Sequence, residues 1–205
     1  METPQLPDGI RELPVIAADL ALDFANTIDD PLGPERHDHI ATYHALLSWS
    51  LRVSLLTEPE ADRLLRTAAP RRAATVVRRA HSLREAINLA AGAVATTHPA
   101  ADRLEGWAEL RPFVTAAIER AELVDLQPAW RFELLDSPLW PVAHAAYTLL
   151  TGPRAGRIKQ CAGCPWLFLD QSKNGSRRWC SMEICGTSEK VRLYVSRRAA
   201  RRVRN

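Results

Sequence analysis

Nowhere in this 205-residue chain do about 18 apolar residues run together, so no membrane-crossing helix is expected. The opening stretch METPQLPDGIREL lacks the basic start and apolar core of a signal peptide, which makes the cytoplasm the expected compartment. Lysine is scarce, supplying three of the 27 basic residues, a bias that fits a GC-rich genome as well as functional choice. Arginine richness by itself therefore assigns nothing. Also missing are a Gly-rich phosphate loop, a nucleophile constellation and a paired acid/base motif, so no enzyme class is indicated. There are no internal repeats, and no heptad seam announces a coiled coil.

Cysteine is scarce too, but its four residues are clustered: Cys161, Cys164, Cys180 and Cys185. In a reducing compartment such a cluster reads as metal ligands rather than disulfides. A CxxC pair followed at this distance by a second pair is the spacing of a structural zinc site, in which four thiolates at about 2.3 Å complete a tetrahedron. Four sulfurs leave zinc no open position for a catalytic water. The deaminase arrangement is excluded as well, since none of the six histidines begins an H-x-E motif. His37 and His39 form H-x-H, expected to be a polar surface or helix start rather than a second metal site.

The formal charge of +3 hides an asymmetry. Residues 154–205 hold 13 Lys/Arg against 3 Asp/Glu, leaving 14 against 21 for residues 1–153. A segment this basic suits a polyanion, of which nucleic acid is the usual one.

The expected fold is α+β: a mostly helical N-terminal domain with a small β element over 1–152, then a small treble-clef-like four-cysteine zinc finger with a basic C-terminal helix over 157–205. Residues 1–14 read as a loose, Pro-rich arm, and the apolar run VIAADLALDFANTI fits strand and helix alike. Helices are expected from about Asp38 to Val53, from the capping-box signal at Thr57 and Glu60 to about Ala68, over 71–96, and from about Ala100 to Arg120 with a notch at Pro112. In the third of these, Val76, Val77, Ala80, Leu83, Ile87 and Ala91 share a stripe. Arg78, Arg79, Arg84 and Glu85 fall off it, and the basic cluster Arg71, Arg72, Arg78 and Arg79 reads as its solvated face. AELVDL and WRFELL, separated by Gln127-Pro128-Ala129, predict a hairpin. Ser137-Pro138 opens a helix through Leu150, and Gly152 to Gly156 is the expected linker.

Within the finger, a hairpin is expected over 165–179 around the Asn174-Gly175 turn, with Trp166, Phe168 and Trp179 as a mini-core. Cys180 and Cys185 would stand at the entrance to the last helix. There Val191, Val195 and Ala199 recur at i+4, while Lys190, Arg197 and Arg201 share another face. Arg177 and Arg178 extend the positive surface.

The segment CAGCPWLFLDQSKNGSRRWCSMEICGTSEKVRLYVSRR resembles the CGNR-type zinc finger of bacterial proteins, with its CxxC, aromatic-x-Asp, RRWCS and Cys-Gly. Upstream, LALDFANTID, HDHIATYHALLSW and LWPVAHAAYTLL resemble the ABATE domain that precedes this finger. The resemblance implies a transcription regulator with a DNA-binding finger and a ligand-sensing N-terminal domain. It implies zinc on the four cysteines, DNA contacts at Arg177, Arg178, Lys190, Arg192, Arg197 and Arg198, and a small-molecule pocket near Asp23, Asn26 and Thr27, although Asn26 and Thr27 read equally well as residues that cap or turn the backbone. Charge alone adds Arg201 and Arg202. One departure stands out: the family's Cys-Gly-Asn-Arg reads Cys185-Gly186-Thr187-Ser188 here, removing an amide and a guanidinium. A homodimer on two half-sites would suit one basic helix per chain. The rival reading is an RNA-binding or protein-docking module in which Trp166 or Trp179 stays exposed for stacking.

Overall fold

The computed structural model describes residues 13–30, 34, 36–96 and 100–187. The N-terminal arm as far as residue 12 and the basic segment from Ser188 onward, including Lys190, Arg192, Arg197, Arg198, Arg201 and Arg202, lie outside the described residues.

Among the described residues six α-helices run in chain order: α1 (Leu20–Ala25), α2 (Tyr43–Arg52), α3 (Glu58–Thr67), α4 (Pro70–Ala95), α5 (Ala100–Glu119) and α6 (Leu139–Thr151). Three antiparallel pairs accompany them: β1 (Ile28–Asp29) with β2 (His37–Asp38), β3 (Glu122–Val124) with β4 (Gln127–Ala129), and β5 (Ile158–Gln160) with β6 (Leu167–Leu169). The result is the expected mostly helical N-terminal region with small strand pairs, followed by the cysteine-bearing finger. Among the described residues no helix is long and apolar enough to cross a membrane.

Local chemistry fixes the helix starts. The ambiguous first apolar run becomes helix because Asp19 caps α1, its carboxylate accepting from Ala21 N at 3.1 Å. Thr42 caps α2 by accepting from Ala45 N, and the Glu60 carboxylate takes Thr57 N at 2.8 Å at the head of α3. Helix α4 is the spine, and its apolar stripe is covered by α5, α1, α6 and the finger strands. Gly106 makes the α4/α5 crossing close: a Cβ there would lie 2.6 Å from the Ala90 backbone. Helix α5 runs through Pro112 without a break.

Two expectations are corrected. The second strand of the upstream hairpin is Gln127–Ala129, the stretch expected to be loop, while WRFELL forms no strand. Asp125 and Leu126, both at positive φ (50° and 62°), close a two-residue turn that brings Gln127–Ala129 back onto Glu122–Val124. The apolar residues after it pack as irregular chain on the helices, with Trp130 Nε1 donating to Ala117 O at 2.9 Å. In the finger, the ladder is β5 with β6 and its loop is the CxxC itself; Asn174-Gly175 is a turn, with Gly175 at φ 59°, but it joins no strands.

Arg84, off the apolar stripe, is nonetheless 3% exposed. Both its terminal nitrogens meet the Asp38 carboxylate at 2.8 Å, and one also reaches Thr27 O at 3.4 Å. Burial alone would raise the Asp38 carboxyl, but the Arg84 guanidinium outweighs it and holds the group below the usual carboxylate range. The pair's contribution is therefore complete above about pH 4 and is lost as pH falls through the depressed folded-state value. Asp38→Asn leaves a buried guanidinium without its counter-charge and is expected to cost about 3–5 kcal/mol at pH 7. Urea unfolding of variant and wild type at pH 7 and pH 3 checks this: the difference should shrink in acid, and a constant difference would refute the charge pairing as its cause.

Candidate zinc centre and nucleic-acid surface

The four cysteine sulfurs all lie within 4.8 Å of one another. Cys164 Sγ and Cys185 Sγ each stand 3.6 Å from Cys180 Sγ. A tetrahedron with bonds of about 2.3 Å has edges of about 3.8 Å, so these separations suit one zinc ion and are far too long for a disulfide. Cys161, Cys180 and Cys185 are buried and Cys164 half-buried. Among the described residues this is the single group of three or more His, Cys, Asp or Glu donors close enough to share an ion. His37 and His39 stack edge to face, and His39 Nε2 is taken by Asp29 at 2.9 Å.

Backbone geometry places each sulfur. The turn between β5 and β6 carries Cys161 and Cys164, and Gly163 N and Cys180 N both donate to Cys161 Sγ, at 3.4 and 3.3 Å. Ser181 Oγ accepts from Glu183 N and Ile184 N, capping a wide helical turn, Met182–Gly186, that delivers Cys185. Without metal the cluster cannot carry four charges. The hydrogen bond from Cys180 pushes the Cys164 thiol down to about 6, while that same bond together with burial drives Cys180 far up. Burial and the neighbouring thiolate push Cys185 up to about 12. A divalent cation removes this frustration by replacing the protons. The four cysteines hold zinc.

The loop from Asp170 to Cys180 is braced by one carboxylate. Asp170 is buried, pairs with Lys159 Nζ at 2.7 Å, and accepts Ser172 N and Arg177 N. Burial would raise its carboxyl, but Lys159 and Ser172 outweigh that and hold it far below the usual range. Arg177, expected as a DNA contact, has its guanidinium 4.6 Å over the Phe168 ring. Its nitrogens donate to Trp179 O at 2.9 Å, to Cys180 O and to Ile16 O at 3.4 Å. It braces the finger, whereas Arg178 is exposed and lies 5.2 Å over Trp179. Thr187, where the family's motif has Asn, donates its hydroxyl to Met182 O at 2.9 Å and is exposed. Trp166 is 9% exposed and its Nε1 donates to Ile28 O at 3.0 Å, leaving that ring no face for stacking. Trp179 is half-buried.

Asp23, Asn26 and Thr27 are brought together, but each is buried and engaged with the protein itself. The Asn26 amide pairs with both backbone groups of Leu167 in β6, donating to its carbonyl at 2.8 Å and accepting from its N–H at 3.0 Å. Asp23 accepts from Ile16 N and Ala17 N at 2.9 Å, and Ala17 O in turn accepts from Leu169 N at 2.9 Å. The Thr27 hydroxyl donates to Phe24 O at 2.8 Å. LDFANT is thus a clasp for the finger, and one core runs from Leu22 and Phe24 through Leu83 and Val142 to Phe168 and Leu169. An Asn three residues after the Asp of a short apolar run was the signal; its partner, 141 residues away, was not readable.

Comparison with family models gives two matches. The CGNR zinc finger covers residues 157–198. The ABATE model, described as "putative stress-induced transcription regulator", covers residues 18–153. No curated protein matches the sequence. With about two thirds of its length matched by one model and the zinc-binding remainder by the other, the chain belongs to the ABATE family and carries a CGNR zinc finger.

Proposed function

We propose that this protein is a DNA-binding transcription regulator of the cytoplasm, in which the zinc-fixed finger presents an arginine-rich surface to duplex DNA. The N-terminal domain responds to a small molecule and supports a homodimer on two half-sites. The observation that carries the reading is the charge division: 13 Lys/Arg against 3 Asp/Glu in residues 154–205, on a segment whose fold depends on a metal rather than on a large core of its own. Arg178 is the exposed member next to the ligands. Lys190, Arg192, Arg197, Arg198, Arg201 and Arg202 continue the surface in sequence, and Arg177 supports it from beneath. Buried Trp166 weighs against the stacking alternative.

The triple reversal Arg178→Glu, Arg197→Glu, Arg201→Glu tests it, because truncation would also remove core residues such as Phe168. Each phosphate contact contributes about 0.9 to the slope of log K against log salt, so losing three should flatten it by about 2.7. Affinity should fall at least tenfold at low salt. Fluorescence anisotropy with duplexes selected from a random pool is the measurement. Unchanged affinity and slope in the folded, zinc-loaded variant would refute a DNA-facing finger.

A further inference from the structure

We propose that the cleft between α4 and the finger is the effector site, and that it takes a small zwitterion with an apolar body, of the class of free apolar amino acids. The assignment rests on the regulator reading and deepens it. The cleft is about 520 Å³ and draws its walls from both halves of the molecule: Ile28 after α1, Glu85, Asn88 and Leu89 on α4, and Trp166 at the head of β6. A volume of that size accepts a metabolite rather than a macromolecule. Leu89, near the C-terminal end of α4, is 38% exposed, which gives an apolar body a surface to bury.

The polar groups decide the class. Arg84 also lines the cleft, but its charge is cancelled by the bidentate pair with Asp38. Arg36 and Glu85, one of each sign, form no ion pair with any described residue. Asn88 donates to Ala25 O at 3.0 Å, which leaves its amide oxygen available as an acceptor. A single positive and a single negative group over an apolar wall complement a molecule that carries carboxylate and ammonium together; a simple anion meets Glu85 and a simple cation meets Arg36. Asn26, whose amide clasps Leu167, stands in the same wall. An occupant therefore touches both sides of the clasp and biases how the finger is seated.

Zinc-loaded full-length protein would be titrated with L-leucine and L-phenylalanine, and with the analogues of each lacking the amino or the carboxylate group. Binding is followed by protein-observed NMR and thermal shift without DNA. At least one amino acid should bind saturably, with both of its single-charge analogues at least about tenfold weaker. Glu85→Gln should erase most of the difference between amino acid and des-amino analogue, and Leu89→Arg should abolish binding while zinc content and fold are kept. No binding by any probe, or an analogue that matches its parent, overturns the proposal. Anisotropy with duplex DNA in the absence of probe is read separately. DNA binding without cleft binding removes the effector site and leaves the regulator, and cleft binding without DNA binding does the reverse.

Discussion

Cys180→Ser is expected to release the zinc and unfold the finger, with the damage spreading into the helical domain. Cys180 is 1% exposed and its sulfur lies 3.6 Å from those of both Cys164 and Cys185, so it closes the ligand set. Structural zinc contributes on the order of 10 kcal/mol of apparent folding free energy in small modules, comparable to the whole stability of a typical domain. The short strands β5 and β6 bury too little surface to hold without it. An autonomous finger would unfold alone. Here Phe168 and Leu169 belong to the core that also holds Phe24 and Leu149, and losing them opens a cavity under α1. Three observations should coincide: zinc content falling from one per chain toward zero, a red shift of tryptophan emission as Trp166 leaves its pocket, and a lowered midpoint of thermal unfolding measured on the helical signal. Chelation of the wild type should reproduce all three. A variant that lost zinc yet kept the wild-type midpoint would show that the two halves are energetically independent.

The parts of this molecule that were legible in its sequence are those set by chemistry within about twenty residues. CxxC and the second cysteine pair specify a tetrahedron through local turns, and the capping box at Thr57 and Glu60 marks a helix start through a bond three residues away. What was hidden depends on distant partners. Arg84 looks like a surface cation until Asp38, 46 residues earlier, is brought against it. WRFELL carries strand-like residues, yet the left-handed turn at Asp125 and Leu126 closes the hairpin early and commits Gln127–Ala129 instead. Asp125 suits the first position of such a turn, but Leu126 stands where Gly would announce it. Asp23 and Asn26 were visible as polar residues in an apolar run, open to two readings: the lining of a pocket, or side chains that cap or turn the backbone. The contacts show that their polarity serves the main chain: Asp23 fixes the strand-like segment at Ile16 and Ala17, and Asn26 imitates one further rung of the ladder on Leu167.

Asn26→Ala should therefore act as a coupling mutation between the two halves of the molecule. Asn26 is 2% exposed, and its removal strands the N–H and carbonyl of Leu167 away from water. Each buried group left unsatisfied costs about 1–3 kcal/mol, so the expected loss is about 2–5 kcal/mol. Trp166→Phe deletes the neighbouring bond to Ile28 O across the same junction. Because both bonds seat one strand, their losses should not add: once the first is gone, the second has less docked finger to stabilise. A double-mutant cycle by urea unfolding would measure that coupling. Hydrogen exchange of zinc-loaded Asn26→Ala should show amides of 158–169 opening earlier while those of α5 keep their protection, since local and global opening separate when a clasp is weakened. If Asn26→Ala left unfolding and exchange at wild-type values, Asn26 would not be a clasp. If it moves them as expected, the pair of hydrogen bonds on Leu167 is part of what keeps the finger seated.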